Sequence, residues 1–218
     1  MRIVIFANGT MDDPRSEADR WIEPDDIIVG ADGGTLHALD AGLRPDHVIG
    51  DLDSLSNELQ ERLEEEGVSL HDHPPAKDET DLELALLWAA EQKPDAEILV
   101  LGALGGRPDQ GIANLLLLTL PALEGRNVCM VGEDWQIRLI RGGETLTVCG
   151  QPGETVSLIP LGGDARGVTT SGLRYPLDDE VLDFGPARGV SNVVESNKAT
   201  VKVDQGLLWC FHRRDREA

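Results

Sequence analysis

The chain has 218 residues, 40% hydrophobic and 27% charged, a globular composition long enough for one large core or two smaller ones. Its 19 Lys and Arg against 40 Asp and Glu give a formal charge of −21, which disfavours nucleic acid and anionic membrane as partners and suits a cationic substrate or a bound divalent metal. Three widely spaced cysteines without a Cys-x-x-Cys pair, and no apolar run of bilayer length, lead to the expectation of a reduced, cytoplasmic protein.

Met1 to Phe6 is too short for a signal sequence and runs straight into Ala7-Asn8-Gly9, so Arg2–Phe6 reads as the first strand. Asp26–Gly30 reads as the second. The stretch Gly34–Ala41, stopped by Gly42, reads as a helix. Strand His47–Gly50 comes next, then a helix Asn57–Glu66 capped by Ser56 and ended by Gly67. Val68–His71 is the fourth strand. Thr80-Asp81-Leu82-Glu83 is a capping box that opens a helix running to about Gln92. Glu97–Gly102 contains the continuous apolar run Ile98-Leu99-Val100-Leu101, the mark of a strand buried on both faces. Helix Asp109–Leu120 and strand Asn127–Val131 complete this half. Such alternation predicts an α/β fold, a mostly parallel sheet with helices on both faces.

Near Gly132 the pattern changes. Gln136–Ile140, Glu144–Cys149, Thr155–Ile159, Ala199–Val203 and Gly206–Phe211 alternate in the manner of strands, separated by turns such as Gly142-Gly143 and Gln151-Pro152-Gly153. The expected organisation is an α/β domain over 1–132, followed by a C-terminal all-β sandwich over 133–218.

In an open parallel sheet, ligands bind beyond the C-terminal strand ends. Four polar loops fall there: Ala31-Asp32-Gly33-Gly34, Asp51-Leu52-Asp53-Ser54, Lys77-Asp78-Glu79-Thr80-Asp81 and Gly105-Gly106-Arg107-Pro108-Asp109. The glycines let backbone approach a ligand, Lys77 and Arg107 supply charge for phosphate oxygens, and Asp51, Asp53, Asp78 and Asp81 supply hard oxygens suited to Mg²⁺. Taken singly each has a plain structural reading. Asp32-Gly33-Gly34 makes a turn and a cap, Asp51 and Asp53 are solvated turn acids, Thr80 and Asp81 cap a helix, and Arg107 pairs with Asp109. Taken together they describe a site for a metal-bound polyphosphate, without a Walker P-loop.

These motifs, in this order, resemble those of the thiamine pyrophosphokinase (thiamine diphosphokinase) family. Gly172-Leu173-Arg174-Tyr175-Pro176-Leu177 and Arg188-Gly189-Val190-Ser191-Asn192 resemble the same family's second domain, so the likeness spans nearly the whole chain. The resemblance implies a homodimeric transferase that moves pyrophosphate from Mg-ATP to thiamine, with thiamine held between subunits. It assigns Asp51, Asp53, Asp81, Lys77 and Arg107 to catalysis, and Asp51, Asp53, Asp81 and Asp78 to Mg²⁺. Asp32, Gly33, Gly34, Ser54, Lys77, Thr80, Arg107 and Asp109 go to ATP, and Ser191 and Asn192 to thiamine. One departure is Gln110, where the family usually has histidine; glutamine cannot titrate near neutral pH, so an acid–base role at that position is not expected. Trp135 and Trp209 are the aromatic candidates for covering thiamine, with a place in the β core as the other reading for Trp209 and core for Trp88. His71 and His73 read as exposed loop histidines. Two other functions fit the loops: a metal-dependent (poly)phosphate or nucleotide hydrolase, and a non-catalytic nucleotide-sensing module.

Overall fold

Six strands build the N-terminal unit: β1 (Arg2–Phe6), β2 (Ile27–Ala31), β3 (His47–Gly50), β4 (Ser69–Asp72), β5 (Glu97–Leu101) and β6 (Val128–Val131). They lie in the order β4-β3-β2-β1-β5-β6, and every neighbouring pair is parallel. The computed structural model describes residues 2–214. The chain divides at Glu133/Asp134 into two compact units.

Successive strand residues point to opposite faces, and Ile3, Val4, Ile5 and Phe6 are all fully buried, so both faces of the parallel sheet are covered. Five α-helices flank it: α1 (Pro14–Trp21), α2 (Gly34–Asp40), α3 (Asn57–Glu65), α4 (Asp81–Glu91) and α5 (Pro108–Leu117). α1 is absent from the sequence reading. Its signals are local: Asp13 accepts the Ser16 amide at 3.0 Å, and Pro14 opens the first turn. α4 buries Leu82, Ala85, Leu86 and Ala89, one stripe of a 3.6-residue period. Its C-terminal carbonyls are capped by the Arg126 guanidinium, which donates to Ala90 O and Lys93 O at 2.8 Å each. α5 is the exception. None of its residues is buried, and Ile112 and Leu116, one turn apart, are 59% and 43% exposed.

The second unit is antiparallel: β7 (Trp135–Arg141), β8 (Thr145–Cys149), β9 (Thr155–Ser171), β10 (Glu180–Leu182), β11 (Asn192–Val193), β12 (Lys198–Lys202) and β13 (Gln205–Arg213). β9 is much longer than the expected Thr155–Ile159. Its first half pairs with β13 and its end, Thr169–Ser171, with β12, so one strand serves both sheets. Leu208 and Cys210 of β13 face the core that Leu158, Val168, Ala199 and Val201 share. Trp209, between them, points to the other face, where its ring meets Phe211 edge-on at 6.3 Å. The reading of Trp209 as filler of this core is therefore corrected by strand alternation. Beside the core, buried Glu154 accepts both His212 Nε2 at 2.8 Å and the Gln151 amide at 2.9 Å.

Two further histidines are half-buried together. His47 Nδ1 and His71 Nε2 stand 3.1 Å apart, and the Trp88 ring of α4 lies 4.4 Å from that of His47. His71 is half-buried on β4 rather than exposed on a loop, because its ring packs with those of His47 and Trp88. Trp88 is half-buried over this pair. Burial pushes His47, His71 and His212 below their ordinary value; the charge of His71 adds to the effect at His47 and that of His73 at His71, and Glu154 partly opposes it at His212. The unfolded chain then binds protons more readily than the folded one. Stability contributed by these imidazoles is complete above their unfolded value of 6.5, begins to fall below it, and is lost as pH passes through the lower folded values. Melting followed by circular dichroism from about pH 7.5 to about pH 5.5 is expected to show a falling midpoint, with a shallower fall in His47→Gln, which keeps a polar partner for His71 but cannot charge.

Candidate active site

The C-terminal ends of β2 and β3 are shaped by two non-glycine residues in left-handed conformation, Asp32 (φ 42°) and Leu52 (φ 59°). Leu52 inserts into a small core with Val48, Leu55, Leu63 and Val68. With Leu52 so anchored, Asp51 and Asp53 on either side stay outside that core, Asp51 half-buried and Asp53 exposed. Asp32 is 6% exposed. Its amide donates to Ile49 O at 2.9 Å, its carbonyl accepts the Thr35 amide at 2.9 Å, and Ser54 Oγ donates to its carboxylate.

Carboxylate oxygens of Asp32, Asp51 and Asp53 all lie within 4.8 Å of one another, and among the described residues this is the one such group able to hold a metal ion. Mutual repulsion is visible in the group. The charge of Asp51 first, then that of Asp32, holds the Asp53 carboxyl above its ordinary value. Gly50 makes the crowding possible, because a Cβ there would stand 2.9 Å from both Asp32 Cβ and Asp81 Oδ1. Asp81, the first residue of α4, is thus packed against the same backbone. Lys77 Nζ lies 2.8 Å from Asp81 Oδ1 and 3.8 Å from Asp51 Oδ2. Burial works to lower the Lys77 ammonium, but its bond to Asp81 and the charges of Asp81, Asp51 and Asp32 outweigh this and hold it above its ordinary value. Thr80 caps α4 by accepting the Glu83 amide at 3.2 Å. Asp78 is exposed on the same loop and outside the converging group.

The strand order reverses between β1 and β5, the switch point where parallel sheets open a crevice. The loop after β1, residues 8–10, lies here, and the sequence reading left it out. The Gly9 amide donates to Gly102 O at 2.8 Å, and His37 Nε2 lies 2.8 Å from Gly9 O. At Gly33 a Cβ would stand 2.3 Å from Asn8 Nδ2, so the β1 and β2 loops touch without room for a methyl group. Asn8 and Thr10 remain exposed at the mouth. Nothing in an isolated Ala-Asn-Gly-Thr marks it as a site, since only the strand order gives it that position. Arg107 and Asp109 stand at the same sheet end after β5. They pair with each other, Nε to Oδ1 3.1 Å, with side chains 72% and 65% exposed. Arg107 reaches Asp109 rather than the acids. Gln110 is exposed in the first turn of α5.

In the second unit Ser191 is exposed with φ 62°, and its amide donates to Ser157 Oγ at 3.0 Å. Asn192 is buried and already committed. Its Oδ1 accepts the Tyr175 amide at 3.0 Å and the Val193 amide at 2.9 Å, and its Nδ2 donates to Tyr175 O at 2.8 Å. One amide proton is left over. Asn192 therefore holds the backbone of Tyr175, a residue that is itself 65% exposed.

Comparison with known proteins gives one answer along both units. The family described as thiamin pyrophosphokinase, catalytic domain, matches residues 18–130, and that described as thiamin pyrophosphokinase, vitamin B1 binding domain, matches residues 144–208. Thiamine pyrophosphokinase of Bacillus subtilis (strain 168) is 32% identical over 189 residues, covering 87% of this chain and 88% of that one. Thiamine pyrophosphokinase 1 of Oryza sativa subsp. japonica is 30% identical over 180 residues, covering 79% of this chain and 67% of the relative. The crystal structure of the Bacillus subtilis enzyme matches with TM-score 0.84 at 28% identity, over 99% of this chain and 100% of the other. A thiamin pyrophosphokinase family protein from Enterococcus faecalis gives 0.84 at 30% identity with the same coverage.

Proposed function

The chain belongs to the thiamin pyrophosphokinase family, and from that premise we propose that it transfers the pyrophosphoryl group of ATP to the hydroxyl of thiamine, releasing AMP. The observation that carries this reading is the gathering of Asp32, Asp51 and Asp53 with the Lys77–Asp81 pair at one end of a parallel sheet. The family profiles support giving ATP and catalysis to residues 1–132 and thiamine to residues 133–218.

The acid group offers only hard oxygens, which fits Mg²⁺. We assign the ion to Asp32, Asp51 and Asp53, with Asp81 packed against the same backbone and Asp78 left outside the group; when bound, it would neutralise charge on the polyphosphate. The chain's own residues do the rest. Lys77 places an ammonium beside the transferring phosphates. Arg107, freed from Asp109, offers a fork for phosphate oxygens. The thiamine oxygen attacks the β-phosphorus, the bond from that phosphorus to the oxygen of the α-phosphate breaks, and AMP leaves with the electron pair. The hydroxyl proton passes to a carboxylate of the group. Catalysis is mainly positioning and charge compensation.

The nucleoside lies at the switch point, over Asn8 and Thr10, about two strand spacings (~10 Å) from β3, a distance a triphosphate can bridge. Ser191, whose hydroxyl is exposed, is the thiamine contact in the second unit; Asn192 contributes its remaining N–H and fixes Tyr175. The exposed apolar stripe Ile112 and Leu116 on α5 supports a homodimer. No described helix is long and apolar enough to cross a membrane; we place the chain in the cytoplasm on its three widely spaced cysteines without a Cys-x-x-Cys pair.

Incubation with ATP, Mg²⁺ and thiamine is expected to yield AMP and thiamine diphosphate in equal amounts, and Asp51→Asn to lower kcat by at least about a hundredfold. Release of ADP or free phosphate instead, independent of thiamine, would assign the acids to hydrolysis. Thr10→Val and Asn8→Ala are expected to raise KM for ATP about three- to tenfold and leave KM for thiamine unchanged, whereas a shift in the thiamine KM would place the wrong substrate over this loop. Sedimentation equilibrium should show a dimer for the unaltered chain and a monomer for Ile112→Glu with Leu116→Glu; a dimer in both would move the contact off α5.

A further inference from the structure

The acid group already contains a cation. The Lys77 side chain is 12% exposed and stands between two carboxylates, that of Asp81 at 2.8 Å, four residues on at the start of α4, and that of Asp51 at 3.8 Å, from the distant segment after β3. An ordinary helix-surface pair looks different. Arg62 and Glu66 of the α3 region, also four residues apart, are separated by 3.8 Å with side chains 58% and 45% exposed. Local electrostatics also argue against a mere helix pair, because Lys77 precedes the N-terminus of α4, the end where a positive charge is disfavoured. Only the surrounding acids make that position favourable. Asp51 is at the same time one of the three residues whose oxygens converge. Lys77 and a divalent ion therefore draw on one carboxylate.

We propose that Lys77 is a built-in counter-ion of the acid group, holding Asp51 and Asp81 in the metal-free protein and yielding Asp51 to the divalent ion only when a triphosphate is present to receive its ammonium. This rests on the metal–triphosphate reading given above. A bare ion has to break the Lys77 contact with Asp51 and then sit a few ångströms from a unit positive charge; even in nearly aqueous dielectric that costs about a factor of ten in affinity. A triphosphate removes the cost by giving the ammonium phosphate oxygens to bind. Metal and triphosphate therefore bind with positive coupling, and the coupling is reciprocal. The loop from His73 to Thr80, carrying Pro74 and Pro75, is the element that both ligands bias. The ion enters as its nucleotide complex rather than ahead of it.

Mn²⁺ serves as the probe, followed by electron paramagnetic resonance on the full chain, alone and with the methylene-bridged ATP analogue. Lys77→Met is expected to bind bare Mn²⁺ about tenfold more tightly than the unaltered protein, and to bind the Mn²⁺–analogue complex at least about tenfold more weakly. Lys77→Arg, which keeps the charge, is expected to bind bare Mn²⁺ as the unaltered protein does. This opposite-sign pair of changes is what a purely structural lysine cannot produce. Lys77→Gln is the second charge-removing variant, should Lys77→Met melt early. Equal or weaker binding of bare Mn²⁺ by both neutral variants overturns the proposal, as does tightening that Lys77→Arg shares. Absence of any Mn²⁺ binding by the unaltered protein, with or without the analogue, removes the metal reading and the proposal together. Transfer of pyrophosphate to thiamine, measured separately, tells that failure from a failure of the function itself.

Discussion

Four carboxylates held at the end of one sheet repel one another, and much of the N-terminal unit is arranged to keep them there. Asp32 is buried, and Ser54 and its own local backbone bonds hold it in a left-handed turn. Leu52 ties the Asp51–Asp53 segment to the α3 core. Gly50 removes the one side chain that would separate Asp32 from Asp81. Lys77 offsets part of the charge. The charges of Asp51 and Asp32 still hold the Asp53 carboxyl above its ordinary value, so part of the repulsion remains uncompensated. Structural acid clusters spread out when nothing holds them. This one is held by strain, by a hydrophobic anchor and by a missing side chain.

The parallel sheet decides where such a group can act. Its strand order turns back between β1 and β5, so loops from β1, β2 and β5 meet without helices between them. The backbone of Gly9 is tied to Gly102 and its carbonyl to His37, which makes a floor rather than a mobile loop. The acids lie one and two strands away, after β2 and β3. A linear polyphosphate fits that spacing, since its metal-binding portion and its nucleoside need separate supports about 10 Å apart.

How much of this was legible in the sequence depended on the range of the interaction. Strands β1, β3 and β5 could be read from apolar runs and their stops, and α3 and α4 from Ser56 and Thr80, because those signals are local. The acids after β2 and β3 and Lys77 were legible as types at strand ends. Their mutual geometry was not, since it hangs on Gly50 and on the side-by-side pairing of β2 with β3. The Asn8–Thr10 loop was invisible for the same reason. α1 was missed although its Asp13-Pro14 start is a local cue, because its stripe has only Ala18 and Trp21 buried. β9 was cut short at Ile159, whereas the strand continues through Gly162 and Gly163 to Ser171. Trp209 was read as core because it lies in an alternating strand, and the phase of that alternation, with Leu208 and Cys210 in the core, puts it on the opposite face.

Ser191 and Asn192 show why a motif does not give each of its residues the same task. Side by side in sequence, they face opposite demands: Asn192 is buried and Ser191 exposed. A buried amide needs its hydrogen bonds satisfied, and Asn192 satisfies most of them on the backbone of Tyr175 and Val193. That commitment leaves little for a ligand but fixes where Tyr175 stands. Ser191, in a left-handed conformation with its amide bonded to Ser157 Oγ, presents an exposed hydroxyl at a defined point. The asparagine supplies rigidity and the serine an exposed hydroxyl, so loss of the first would be felt through the placement of the second.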